Sequence, residues 1–93
     1  MADNVRIHAI IYGRVQGVWF RMETKRVADR IGVNGWVRNR PEGTVEAVFE
    51  GAKAKVDAVL DWCRQGPRLA KVDKVDVTWQ PFEDAFENFE VTY

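Results

Sequence analysis

Apolar residues alternate with others from Val5 to Gly13 (VRIHAIIYG), with Val5, Ile7, Ala9 and Ile11 on one face. A period of two predicts a β-strand. The period then lengthens. Phe20, Thr24, Val27, Ala28 and Ile31 recur at helical spacing, and Gly32 supplies a stop. Residues 33–40 (VNGWVRNR) read as a second strand and Pro41–Gly43 as turn chemistry. Thr44–Gly51 (TVEAVFEG) alternates again, with Val45, Ala47 and Phe49 inward. Two strands joined by a short Pro/Gly turn predict a hairpin. In Ala52–Gly66, Val56, Val59, Leu60 and Cys63 stand at i, i+3, i+4 and i+7, the stripe of an amphipathic helix that Gly66-Pro67 ends. Ala70–Gln80 reads as a further strand and Phe86–Tyr93 as a short last one.

The predicted order is βαββαβ plus a short terminal strand. That is the α+β, ferredoxin-like split-βαβ sandwich, an antiparallel sheet with two helices on one face. The chain has 93 residues, which fits one domain spanning residues 1–93. Many unrelated activities use this architecture, so the fold alone decides none of them.

Composition narrows the classes. Apolar content of 46% and charged content of 30% fit an ordinary soluble protein. No apolar run approaches a membrane span, and the N-terminal run lacks the pattern of a secretory signal. A single cysteine makes no internal disulfide and fits a reducing compartment, so a cytoplasmic protein is expected. Net charge is zero, which argues against a nucleic-acid binder. The charge is unevenly spread: residues 1–40 hold eight Lys and Arg against three Asp and Glu, and the remainder holds six against eleven. Such asymmetry either marks an anion-binding end or reflects solvated faces of different sign.

Much familiar chemistry is missing. Cys63 lies on an apolar helical stripe and reads as a small buried hydrophobe. His8 is the only histidine, on the face of its strand opposite Ile7 and Ala9, and reads as a surface or structural residue. No Cys/His cluster exists to bind a metal, and no P-loop or dinucleotide fingerprint is present. Trp36, Trp62 and Trp79 read as core or half-exposed packing.

GRVQGVWFR (Gly13–Arg21) is the segment that invites a chemical reading. It joins the first strand to the first helix. Gly13 and Gly17 permit backbone angles that other residues resist, and every residue of the loop retains its N–H. Successive N–H groups turned inward form a concave anion nest, to which the helix N-terminus adds free donors and a positive dipole end. Arg21 sits in the first helical turn, where the dipole disfavours a cation, and a guanidinium grips two oxygens of a tetrahedral anion. The loop reads either as a phosphate cradle or as a glycine-punctuated connection with a surface arginine. Asn39, near a strand end, reads either as a turn residue or as an amide placed to hold a water molecule or a carbonyl oxygen.

IYGRVQGVWFR (Ile11–Arg21) and GWVRNRPEGTVEAVFEG (Gly35–Gly51) closely resemble the two signatures of the acylphosphatase family. With the length and element order, the resemblance covers essentially the whole chain. It implies hydrolysis of the carboxyl–phosphate bond of acyl phosphates, giving a carboxylate and inorganic phosphate, with no metal or organic cofactor. The backbone amides of Val15, Gln16, Gly17, Val18, Trp19 and Phe20 would cradle the phosphate, Arg21 would bind it, and Asn39 would position the attacking water. Trp19 occupies a place where the family varies. Thr24 would either brace this site or simply turn toward the sheet. The partners implied are the small-molecule substrate and phosphate, with a monomer expected and no nucleic acid or membrane. The rivals are an anion-binding module without turnover, an RNA-binding domain of similar topology, and a carbamoyl-phosphate hydrolase module of a larger enzyme. Whether the acidic tail (Pro81–Tyr93) reaches the site is left open.

Overall fold

The computed structural model describes residues 3–93, so the first two residues of the expected 1–93 domain lie outside it. The elements run β1 (Asn4–Arg14), α1 (Phe20–Ile31), β2 (Asn34–Asn39), β3 (Val45–Ala52), α2 (Lys53–Gln65), β4 (Lys71–Gln80) and β5 (Phe89–Val91). The sheet order is β4-β1-β3-β2-β5. The inward positions read from the alternation do meet across the strands. Ile7 faces Phe49, Ala9 faces Ala47 and Ile11 faces Val45, and all six are fully buried. Against them pack Phe20, Val27 and Ala28 of α1 and Val56, Val59, Leu60 and Cys63 of α2. Both helices thus cover one face, leaving the other to Arg6, His8, Arg38, Glu46 and Glu50, with Ile10 and Val48 buried among them.

Helix α1 begins at Phe20 and stops at Gly32, which adopts φ +96° and donates its N–H to the Ala28 carbonyl at 2.8 Å. This is a left-handed glycine stop. Gly13 has a more specific task. The register of β1 against β4 shifts between Tyr12 and Gly13, and a Cβ on Gly13 would lie 2.1 Å from the Lys71 carbonyl oxygen. Only glycine allows β4 that close while β1 turns off into the loop.

The fifth strand departs from the expected antiparallel sheet. β1, β2, β3 and β4 pair antiparallel, but β5 runs parallel to β2, matching Gly35 with Phe89 and Val37 with Val91, so the sheet is mixed. β4 leaves the sheet at the edge where Gln80 faces Arg6. The chain then crosses the helix-free face to the opposite edge. Glu50 holds it there, accepting the N–H of Glu83 and of Ala85, each at 2.9 Å. Arg6 donates to the same carboxylate at 3.3 Å and places its guanidinium 5.3 Å from the Phe86 ring centre. β5 is also shorter than the expected 86–93 strand, because Phe86 and Asn88 give their carbonyls to Asn34 Nδ2 and the Gly35 N–H. Phe89 then stacks on Phe49 with ring centres 5.5 Å apart, a contact worth about 0.5–1.5 kcal/mol beyond its area. A strand entering from this side must run parallel to β2. It carries the end of the chain to the edge where β1 and β2 also end.

Candidate active site

Three strand ends and one helix start meet at that edge. β1 delivers Val15–Trp19, α1 begins with Phe20 and Arg21, β2 ends at Asn39, and β5 leads to Tyr93. Val15, Gly17, Trp19, Phe20, Arg21 and Asn39 line one cavity. Met22, Lys25, Val91 and Tyr93 complete its wall.

The loop is bent by two left-handed residues. Gly17 has φ +72° and Trp19 has φ +68°, ψ 18°. A Cβ on Gly17 would meet nothing within 4 Å, so the angle rather than crowding calls for glycine there. Residues of opposite backbone hand in succession turn neighbouring N–H groups toward a common point. Val15, Val18 and Phe20 anchor the loop by burying their side chains. Among the described residues, no acceptor takes the backbone N–H of any residue from Val15 to Met22; the first intrahelical donor is Glu23, bonded to the Trp19 carbonyl at 3.0 Å. The helix N-terminus adds its dipole to these free donors.

Gln16 ties the loop to the hairpin. Its Nε2 donates to the Arg40 carbonyl at 2.8 Å and to the Thr44 carbonyl at 2.9 Å. The N–H of Arg40 also donates to the Thr44 carbonyl, at 2.9 Å. The loop of unbonded amides is thereby fixed to the strand end that bears Asn39. Asn39 Oδ1 is buried and has no hydrogen-bond partner. A buried acceptor left bare costs about 1–3 kcal/mol, so it is a place where a ligand atom would be welcome.

Arg21 forms no ion pair with a carboxylate among the described residues, and its guanidinium lies 5.1 Å from the Tyr93 ring centre. Lys25, one helical turn on, bonds the Phe89 carbonyl at 3.0 Å and Asp29 at 2.9 Å, docking β5 against α1. Thr24 is buried toward the sheet and donates to the Phe20 carbonyl at 2.7 Å. It does not line the cavity, and that bond ties it to the first residue of α1. Val18 faces the core and a neighbouring depression that it shares with Trp19 and Trp62.

The sequence reading singled out Arg21 and Asn39, which both line this cavity, and the Val15–Phe20 run, of which Gln16 and Val18 do not line it. It left open whether the tail arrives, and Val91 and Tyr93 stand in the cavity wall. It did not find the tether made by the Gln16 side chain, nor Met22 and Lys25. The i, i+4 spacing of Lys25 from Arg21 was a signal that could have found Lys25. Cys63 is fully buried beneath α2, and burial pushes its thiol up to about 12, which makes it inert as a nucleophile. No cluster of three or more His, Cys, Asp and Glu side chains placed to hold a metal ion occurs among the described residues.

The profile of the family described as Acylphosphatase matches residues 7–91. The chain belongs to the acylphosphatase family. It is 54% identical over 88 residues to the acylphosphatase of Thermococcus kodakarensis, covering 95% of this chain and 96% of that one. It is 50% identical over 88 residues to that of Syntrophus aciditrophicus, covering 95% and 92%. The crystal structure of acylphosphatase from Bacillus subtilis superposes with a TM-score of 0.92 at 31% identity, covering 96% of this chain and 99% of that one. Acylphosphatases of this fold therefore share both the architecture and the length of the chain. No helix among the described residues is long and apolar enough to cross a membrane.

Proposed function

We propose that this acylphosphatase-family chain hydrolyses the carboxyl–phosphate bond of acyl phosphates at the Val15–Arg21 loop. The observation that carries the reading is the convergence on one cavity of a run of amides without acceptors, an arginine without a carboxylate, and the bare Oδ1 of Asn39. The amides of Val15, Gln16, Gly17, Val18, Trp19 and Phe20 cradle the phosphate oxygens, and Arg21 grips them. Asn39 accepts a hydrogen bond from the attacking water and holds it in line. Thr24 steadies the first helical turn through the Phe20 carbonyl.

The chemistry matches this modest equipment. Water oxygen bonds to phosphorus as the bond from phosphorus to the carboxyl oxygen breaks. The electron pair leaves with a carboxylate, whose conjugate acid has a pKa of about 4, so no general acid is needed. An oxygen of the bound phosphate takes the proton of the water. Phosphoryl transfer then requires mainly positioning and charge stabilisation, which fixed donors supply. No metal or organic cofactor takes part in these steps. Residues 1–93 work as one domain, as a cytoplasmic monomer acting on small molecules and not on nucleic acid. The zero net charge and the buried lone cysteine support that part of the reading.

The test is hydrolysis of benzoyl phosphate in the presence of a chelator, with wild type beside Arg21→Ala and Asn39→Ala. Rapid wild-type turnover, lost in both variants, is the expected result. Phosphate binding without turnover would leave an anion-binding module.

A further inference from the structure

We infer that Trp19 and Met22 form an acyl-group subsite that makes this chain favour acyl phosphates with a flat aromatic or bulky apolar acyl group over acetyl phosphate. The inference rests on the reading that the phosphate sits in the Val15–Arg21 cradle. Trp19 is 65% exposed and Met22 60% exposed, side by side at the rim of the same cavity. Neither belongs to the core cluster. Trp19 moreover adopts a left-handed backbone that bulky residues rarely take. A small or polar residue would hold that turn more easily. The ring kept there is mostly exposed and faces the cavity that also holds Arg21 and Asn39.

The direction of the reaction supplies the ring with a contact. In-line displacement sets the attacking water and the leaving oxygen on opposite sides of phosphorus. The water belongs at Asn39, on the β2 side of the cavity. Trp19 stands at the other border, because it also lines the next depression, with Val18, Trp62 and Leu69, where Asn39 has no part. The departing acyl group is therefore directed across the indole face and along Met22. An aromatic acyl group stacks there, a methyl group covers little of the surface, and the flexible thioether adjusts to either outline.

The experiment measures kcat/KM for benzoyl phosphate and for acetyl phosphate, whose leaving groups are both carboxylates, in wild type, Trp19→Gly, Trp19→Phe and Met22→Ala. Glycine keeps the left-handed turn while removing the ring. The benzoyl-to-acetyl ratio is expected to fall about tenfold in Trp19→Gly, within the discrimination that apolar pockets achieve. It should fall by a smaller factor in Met22→Ala and be largely retained in Trp19→Phe. In Met22→Ala the competitive inhibition by inorganic phosphate should stay at its wild-type value, which separates an acyl subsite from a damaged cradle. Ratios equal to wild type in both Trp19→Gly and Met22→Ala would overturn the subsite while leaving the proposed activity standing. A wild type that hydrolyses neither compound overturns the proposed activity, and the subsite with it.

Discussion

Arginines differ between the helix-free face of this sheet and the edge where its strand ends meet the start of α1. On the helix-free face, Arg6 and Arg38 are fully engaged. Arg6 pairs with Glu50 and bonds Gln80, while Arg38 bonds Glu46 at 2.6 Å and covers the Trp36 ring. His8 completes that cluster, 2.7 Å from Glu46. Burial pushes the Glu46 carboxyl up, but hydrogen bonds from His8 and Arg38 and the Arg38 charge outweigh it and hold its pKa below the ordinary value. At the strand-end cavity, Arg21 has the Tyr93 ring 5.1 Å from its guanidinium but no carboxylate, and among the described residues the neighbouring amides and Asn39 Oδ1 have no hydrogen-bond partner. The difference separates polar groups that hold the fold from polar groups that the fold leaves unbonded. A protein that satisfied the cradle internally would be more stable there and chemically idle.

Substitutions sharpen that contrast. The largest effect is expected from Arg21→Ala, which should lower kcat/KM by at least ~10²–10³ while thermal unfolding stays close to wild type, since only the contact with the exposed Tyr93 ring is lost. Asn39→Ala should follow, lowering kcat more than KM because water placement matters mainly in the transition state. Stopped assays over a range of substrate concentration separate the two parameters. A wild-type kcat in that variant would break the assigned role of Asn39.

Glu50 should behave in the reverse manner. Glu50→Gln weakens the hold on Arg6 and on the amides of Glu83 and Ala85, and is expected to cost about 1–3 kcal/mol of stability, read by urea unfolding. Its pH dependence has a definite sign. Burial pushes the carboxyl up, but the two amides and Arg6 prevail and its pKa lies below the ordinary value. The contribution is therefore present above the unfolded-chain pKa of about 4.3 and is lost as pH falls through the lower folded value. The gap between wild type and Glu50→Gln should narrow on acidification; a gap that widens would contradict the assignment. The smallest effect belongs to Gln16→Ala, which frees the loop from the hairpin. It should cost about 1 kcal/mol and reduce kcat with the fold intact, as circular dichroism beside the assay would report.

The legible part of the molecule was whatever local chemistry dictates. Alternation fixed the inward faces of β1 and β3, the helical stripe fixed the buried side of α2, and Gly32 stopped α1 where expected. Gly17 and the free N–H run pointed to a bent loop of unbonded donors, because those properties belong to the residues themselves. The parallel pairing of β5 was not legible. It follows from Glu50 holding a segment more than thirty residues away along the chain, and no local pattern encodes such a contact. The tether from Gln16 to Arg40 and Thr44 was hidden for the same reason. A glutamine in a loop carries no periodic signal of its partner.

The most direct test of the division between the helix-free face and the strand-end cavity pairs thermal unfolding with chelator-treated hydrolysis of benzoyl phosphate in Arg21→Ala and Arg6→Ala. The expected result is a crossed pattern: Arg21→Ala keeps its melting temperature and loses turnover, and Arg6→Ala melts lower and keeps turnover at temperatures where it is folded. Turnover that survives in Arg21→Ala, or a fold that collapses with it, would contradict the account.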